Sequence, residues 1–443
     1  MGAFILALLS FVTISAAAQA QPAMKDETGH AHDLIAALVG KDFPKVEAQF
    51  DEKMKAALPS GRMQTMWETL LMQVGAYKSC AAQSRVRVIA DKQMVITACE
   101  FERAPLDLQF AFDSESRISG MAMRPVGPAE VPYTLPSYAT PASYTEQGLT
   151  IGSGEWALPA TLDMPLGPGP FPLVVLVHGS GPDDRDETVG AEKPFRDLGV
   201  GLASRGIAVL RYDKRTKVYA EKLRGALPTF TVKEEMIDDA HEAVKTARSQ
   251  PKIDPARIYV LGHSLGGMLI PRIAAADSRL AGVIVMAGLV RPLDQMMLEQ
   301  VRYLAMADGT ISPAEQKAID EASANVQAIN ALKPEDANSG RMVGNAPASY
   351  WLDLRGYDPP SAATALKQPM LILQGERDYQ VPMDEFAKWK AALSDKPSVT
   401  FRSYSALNHL FIAGRGKSLP AEYQIAGHVD EAVIRDIADW IKK

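Results

Sequence analysis

Cysteine is nearly absent from this 443-residue chain, which has two, Cys80 and Cys99. Two cysteines exclude a disulfide-dense scaffold and a four-cysteine zinc site. Both fall in one early region, where they either pair in an oxidising compartment or stay as two buried free thiols, and the sequence leaves both open. A charge excess is also lacking: 47 Lys and Arg stand against 53 Asp and Glu, a net charge of −6, with no dense basic run. That removes the electrostatic footprint of nucleic-acid binding. No zinc-ligand spacing, phosphate loop or dinucleotide fingerprint occurs, since Gly199 to Gly206 lacks the glycine spacing for the last, so neither a cofactor nor a metal is expected. Past the first twenty residues no apolar run is long enough to span a bilayer. A small-molecule partner is the expectation, and the sequence specifies no oligomeric state.

What remains is an ordinary globular composition, 47% hydrophobic and 23% charged, over a length that suits two domains. Ala3 to Ala18 is apolar or small without a charge, and Ala18-Gln19-Ala20 fits a small-x-small cleavage site. Residues 1–20 therefore read as a signal peptide cleaved after Ala20, giving a periplasmic or secreted protein with no stable membrane insertion, although no Lys or Arg precedes the apolar stretch. Residues 21–124 read as a small α+β domain. Its helices come first, with Leu34, Ile35 and Leu38, then Met63, Met66, Trp67, Leu70, Leu71 and Val74 at helical spacing within 31–77. Period-two strands follow over 82–124, carrying Val86, Val88, Val95 and Thr97, then Leu108, Phe110 and Phe112, with a turn at Ser114 to Ser116. Prolines 125, 128, 132, 136 and 141 forbid regular structure and mark 125–143 as a stiff linker.

Over residues 144–443 short apolar runs alternate with amphipathic helices, the pattern of an α/β fold whose mostly parallel sheet has helices on both faces. The runs are Leu173 to Val177, Ile207 to Leu210, Ile258 to Leu261, Val283 to Met286, Met370 to Leu373 and Val399 to Phe401. Gly148 to Ile151 and Trp156 to Asp163 precede them as an antiparallel hairpin. Val232, Met236, Ile237, Ala240, Ala243, Val244 and Ala247 mark one intervening helix. The alternation breaks between about 291 and 366, where helical sequence rich in Met and Ala predicts an inserted cap.

Within Tyr259 to Met268 lies Gly262-His263-Ser264-Leu265-Gly266, a Gly-x-Ser-x-Gly pattern that chance supplies on the order of 0.15 times in a chain this long. The context adds more than the pattern. An apolar strand ends at Leu261 and a helix starts at Leu265, so the turn between them strains the serine and presents its hydroxyl above the sheet at a helix N-terminus. With His178-Gly179-Ser180-Gly181-Pro182, Asp183 to Glu187, and Arg211-Tyr212-Asp213-Lys214-Arg215, these residues resemble the α/β-hydrolase superfamily, and within it the bacterial exported serine esterases with a small N-terminal domain. The resemblance covers about 144–443 well and 30–125 loosely.

That resemblance implies an α/β-hydrolase fold and the roles that follow. Ser264 is the expected nucleophile, with the Ser180 and Leu265 N–H groups as oxyanion donors. Among seven histidines, His409 follows the last strand by a short loop, where the superfamily places its base; His428 is the competitor. His178 and His263 are expected only as backbone spacers. Gln374 to Pro382 is similar to the family's acid loop, which selects Asp378 over Glu376. The expected function is cleavage of a small-molecule carboxylic ester through an acyl-enzyme, without a cofactor. A peptidase or thioester hydrolase with the same triad is the alternative, and a catalytically silent binding protein a more distant one. Tyr350 and Trp351 in the cap are expected to line the acyl pocket. The charged segments 183–187 and 213–215 either contact substrate or pair with one another to shape the oxyanion loop.

Overall fold

The computed structural model describes residues 25–443 apart from 90–91, 103–104, 126–131 and 224–228. The expected signal peptide and the middle of the proline-rich linker lie outside the described residues. Backbone contacts divide the chain into two units, Met1–Ala129 and Glu130–Lys443.

In the first unit, helices α1 (Thr28–Val39), α2 (Phe43–Glu47), α3 (Glu52–Ala57) and α4 (Arg62–Val74) precede strands β1 (Tyr77–Cys80), β2 (Arg85–Ile89), β3 (Lys92–Phe101), β4 (Leu106–Phe112) and β5 (Ile118–Pro125). The strands pair antiparallel, with β3 joining β1 and β2 to β4 and β5. The period of two along β3 turns Val95, Thr97, Cys99 and Phe101 to the buried side. There the apolar members pack with Leu34, Leu38 and Trp67 from the helices. The helical reading to residue 77 ran too far: Gly75 takes φ 80° at the end of α4, a conformation that favours glycine, and the chain then extends into β1. Cys80 stands opposite Cys99 in the β1–β3 register and the two form a disulfide.

The second unit opens with the hairpin β6 (Tyr144–Ile151) and β7 (Leu158–Pro165), then runs through β8 (Phe171–Val177), α5 (Pro194–Ala203), β9 (Ala208–Tyr212), α6 (Arg215–Val218) and α7 (Ala220–Leu223). A π-helical turn over Lys233–Ile237 leads into α8 (Asp238–Arg248), β10 (Ile253–His263), α9 (Leu265–Ala275) and β11 (Gly282–Met286). Between β11 and the next sheet strand lie helices α10 (Leu293–Ala305) and α11 (Pro313–Asn330), a small hairpin β12 (Met342–Val343) and β13 (Ala346–Pro347), then α12 (Ala348–Leu354) and α13 (Pro359–Thr364). The chain ends through β14 (Met370–Gly375), α14 (Met383–Leu393), β15 (Val399–Tyr404) and α15 (Glu431–Ile441).

The eight strands of the large sheet lie in the order β15-β14-β11-β10-β8-β9-β7-β6. The first six run parallel to one another, β7 pairs antiparallel with β9, and β6 pairs antiparallel with β7. Leu173 to Val177 on β8 and Val260 and Leu261 on β10 are fully buried, as a sheet covered on both faces requires. Six co-directional strands bring their C-terminal ends to one edge, where ligands bind in open α/β sheets. One difference from the sequence pattern matters below. The single helix expected from Val232 is broken into the π turn followed by α8, and hydrophobic periodicity cannot show the one extra residue that widens such a turn.

Candidate active site

Ser264 connects β10 to α9 with φ 54° and ψ −117°, a backbone conformation that a side-chain-bearing residue rarely adopts. The turn is possible because its neighbours are glycines. A Cβ on Gly262 would lie 2.3 Å from the Gly266 carbonyl oxygen, and one on Gly266 would lie 2.5 Å from that of His178. Leu265 is the first residue of α9, so its N–H has no acceptor within the helix and is free for a ligand.

The acid and the histidine meet from the ends of β14 and β15. Asp378 Oδ2 accepts from His409 Nδ1 at 2.7 Å, and both side chains are buried. Asp378 is itself fixed, because Oδ1 accepts the Gln380 and Val381 amides at 2.8 Å each and Gln374 Nε2 donates to Oδ2 at 3.1 Å. A carboxylate at Nδ1 selects the tautomer with hydrogen there and leaves Nε2 as the acceptor. The loop before His409 passes so close to the acid loop that a Cβ on Gly375 would stand 2.5 Å from the Asn408 carbonyl oxygen. Glu376, the rival acid, is exposed and accepts from Ser403. His428, the competing base, binds elsewhere: its Nδ1 is 3.1 Å from Asp197 on α5, a partly buried structural contact.

His263 corrects the reading of it as a spacer. Its imidazole is buried, Nε2 donates to the His409 carbonyl at 3.0 Å, and the two rings lie 4.6 Å apart. This contact joins the residue before Ser264 to the backbone of His409. On its other side Nδ1 is 3.0 Å from Glu187 Oε2, an ion-pair approach without hydrogen-bond alignment. Burial opposes charge on both, yet their mutual attraction wins, raising the His263 pKa and lowering that of Glu187. No sequence signal marks the pair, because Glu187 lies on the loop after β8 while His263 ends β10, far along the chain. His178 also has a partner, with Nε2 3.1 Å from the Asp184 carbonyl oxygen, and burial drives its pKa down to about 4.

The loop carrying Ser180 packs against the nucleophile, since a Cβ on Gly179 would be 3.2 Å from Ser264 Cβ. Its neighbouring charged segments pair among themselves and with the scaffold. Arg185 binds Asp213, Arg215 binds Asp239, and the buried Arg211 binds Asp163, Glu146 and Asp186. Asp183 has a buried oxygen without a partner, and burial lifts its carboxyl to about 7. None of residues 183–187 or 213–215 lines the cavity above Ser264.

That cavity, about 460 Å³, is walled by Ser180, Thr216, Glu235 and Ser264 from the sheet side and by Leu293, Met297, Asn345, Tyr350 and Trp351 from the helical insertion. Tyr350 and Trp351 thus line the space above the serine. Both are also packing residues, and the Trp351 indole donates to the Val343 carbonyl at 3.0 Å. Among the described residues no His, Cys, Asp and Glu group is arranged to hold a metal ion, and no helix is long and apolar enough to cross a membrane.

A mostly parallel sheet bearing a strained serine elbow and a carboxylate-held histidine at its C-terminal edge defines an α/β-hydrolase. Residues 170–414, more than half of the chain, match the family described as serine aminopeptidase, S33, and the protein belongs to that hydrolase family. Residues 31–121 match a family of unknown function, DUF3887. The chain is 38% identical over 406 residues to Esterase EstD of Thermotoga maritima, covering 92% of this chain and 93% of the relative. It is 25% identical over 291 residues to the quorum-quenching protein AidA of Acinetobacter baumannii, covering 61% and 86%. Est1E from Butyrivibrio proteoclasticus superposes with a TM-score of 0.42 at 18% identity, covering 67% of this chain and 99% of that one.

Proposed function

We propose that Ser264 attacks the carbonyl carbon of an ester of a small molecule, with His409 as base, Asp378 orienting it, and the Ser180 and Leu265 amides holding the oxyanion. The protein is a carboxylic ester hydrolase, a reading supported by its family and by the esterase with which it shares 38% identity over nearly the whole chain. The observation that carries the mechanism is the 2.7 Å bond from His409 Nδ1 to Asp378 beside a serine held at φ 54°. With Nδ1–H committed to the carboxylate, Nε2 takes the Ser264 proton as Oγ bonds to carbon, and returns it to the departing alcohol. Water then bonds to the acyl carbon while giving a proton to the same nitrogen, the bond to Oγ breaks to release the acid, and Oγ recovers that proton. Two amides aimed at the developing O⁻ are worth roughly 2.7–4 kcal/mol each in such sites.

The family's aminopeptidase description makes peptide cleavage the second reading. A substrate with a free α-ammonium needs an acceptor in the cavity. Glu235 is the carboxylate among the described lining residues, and Lys214 already neutralises it at 2.7 Å. Esters are therefore favoured. Replacing Ser264 by Ala tests the assignment: p-nitrophenyl ester turnover and fluorophosphonate labelling should both vanish while the protein stays folded. Persisting turnover in Ser264→Ala would overturn it.

Export is proposed as well, on the uncharged apolar stretch ending in Ala18-Gln19-Ala20 and on the Cys80–Cys99 disulfide, a bond of oxidising compartments. A mature chain starting at Gln21 is expected from the periplasm or medium of expressing cells. A mature chain retaining Met1 overturns export.

A further inference from the structure

Lys214 follows β9 and its side chain is only 2% exposed, an unusual position for an ammonium group, which is seldom buried without partners that hold it. It has two. Nζ donates to the Gly179 carbonyl oxygen at 2.7 Å and lies 2.7 Å from Glu235 Oε1. We propose that Lys214 is a positioning residue that aims the Ser180 amide at the oxyanion, and that Glu235 ties this aim to the wall of the acyl cavity. The inference rests on the reading above that Ser180 N–H is an oxyanion donor.

The physical step is the planarity of the peptide bond. In a trans peptide the carbonyl and the following N–H point in opposite directions from one plane, so fixing the Gly179 carbonyl fixes the direction of the Ser180 N–H. An ammonium on that oxygen also polarises the amide and makes its N–H a better donor. The preceding peptide is held too, because Gly179 N–H donates to Glu187 Oε1 at 2.7 Å. Further along the loop, Thr216 Oγ1 donates to the Gly181 carbonyl at 3.3 Å and Lys214 N–H to the Asp183 carbonyl at 3.0 Å. Segment 214–216 thus takes three carbonyls of segment 179–183, and neither Ser180 nor Leu265 N–H is spent on this lacing.

Glu235 extends the chain to the cavity. It stands on the π-helical turn Lys233–Ile237, a backbone irregularity frequent at functional sites, and lines the cavity together with Ser180 and Ser264. Tyr350 on α12 lines the same cavity from the insertion side. The order is Glu235, Lys214, the Gly179 carbonyl and then the Ser180 N–H. An acyl group filling the cavity touches the first member, so its fit bears on the last. An ion pair placed there for stability alone has no need to end on the peptide that carries the proposed oxyanion donor.

The test compares Lys214→Met with the double variant Lys214→Met/Glu235→Gln, in which no unpaired buried carboxylate remains to unfold the protein. We expect the double variant to melt close to the wild type. Its kcat should fall on the order of 10²-fold, as for loss of one oxyanion donor, with KM within about threefold. Affinity for a trifluoromethyl ketone, whose hemiketal oxygen mimics the oxyanion, should fall by the same factor as kcat/KM. Recovery of both melting temperature and kcat in the double variant overturns the positioning role and leaves the triad intact. Turnover by Ser264→Ala would instead remove the reading on which the role depends.

Discussion

In the N-terminal unit the space between helices and sheet is filled by Leu34, Leu38, Trp67, Val95, Leu108 and Phe110, and a disulfide ties the edge strand β1 to β3. In the hydrolase unit the ends of the parallel strands bury Glu187, Lys214, Glu235, His263, Asp378 and His409 close together. The first arrangement is the ordinary way to stabilise a small α+β domain. The second is costly, since each charge removed from water needs a partner. It persists where chemistry needs fixed dipoles and a fixed proton acceptor. The comparison teaches that cost in polar burial, more than apolar area, marks the working region of this chain.

The sharpest way to break that contrast is to remove one charged member and compare it with a histidine outside the cluster. His409→Ala should lower kcat/KM about 10³- to 10⁴-fold, the scale of losing a triad member. His428→Ala, which loses the contacts with Asp197, Thr134 and the Tyr133 ring, should stay within about threefold. An active His409→Ala beside a dead His428→Ala reverses the assignment.

Much of this was legible before any coordinates, and the boundary of legibility is physical. Apolar runs located the strands β8 to β11, β14 and β15, because a doubly covered parallel sheet writes its core as continuous apolar runs, while the short hairpin β12–β13 left no such mark. Ser264, Asp378 and His409 could be proposed because each follows a strand in the order that the resembled superfamily uses. The polar network could not. Lys214 meets Gly179 and His263 meets His409 across 35 and 146 residues, and no local spacing encodes such pairs. Val86 and Val88 show the opposite error: their alternation marks β2 correctly, yet both are exposed, since period gives a face but not what covers it.

A smaller effect is expected from the other side of the comparison. Replacing Cys80 and Cys99 together by Ser should destabilise the N-terminal unit by about 3 kcal/mol, the entropic scale for a loop of this length. Ester turnover at 25 °C should not change. Calorimetry should show one transition moving and the other staying. A parallel loss of kcat would overturn this expectation.

Glu192, between β8 and α5, offers a buried carboxyl of another kind. It is 2% exposed, one carboxylate oxygen has no hydrogen bond, and burial, with Glu422 and Asp197 adding repulsion, pushes its pKa up to about 8 from 4.5. A raised folded pKa means that the native state keeps a proton the unfolded chain releases. Its stabilising contribution is present below about 4.5 and is lost as pH rises through about 8. Glu192→Gln should therefore match the wild type near pH 5 and exceed it by about 1–3 kcal/mol at pH 9, the range for a buried unsatisfied group. Urea unfolding at the two pH values measures this, and equal gains at both would reject it.

The smallest expected effect concerns how far the cap, rather than the charged cluster, chooses the acyl group. Trp351 was the residue to trim on sequence grounds, but it is 5% exposed and hydrogen-bonded to Val343, so its loss would cost about 3–5 kcal/mol and blur the result. Met297 is better suited. It is 39% exposed and lines both the cavity above Ser264 and a second one of about 390 Å³ between α10 and α11. The two cavities share Met297, Gln300, Asn345 and Trp351 as a common wall, and the second is lined by Leu298, Val301, Leu304, Val326 and Ile329. A long acyl chain that outgrows the first space meets this wall next. Met297→Ala should raise kcat/KM for p-nitrophenyl decanoate relative to butyrate about five- to tenfold, and Met297→Trp should lower it by a similar factor, the scale of one or two methylenes in an apolar pocket. Melting temperatures should move little, because a partly exposed side chain leaves no large cavity behind. If the ratio is the same in all three proteins, the cap covers the site without selecting among acyl chains, and specificity must reside on the Glu235 side of the cavity.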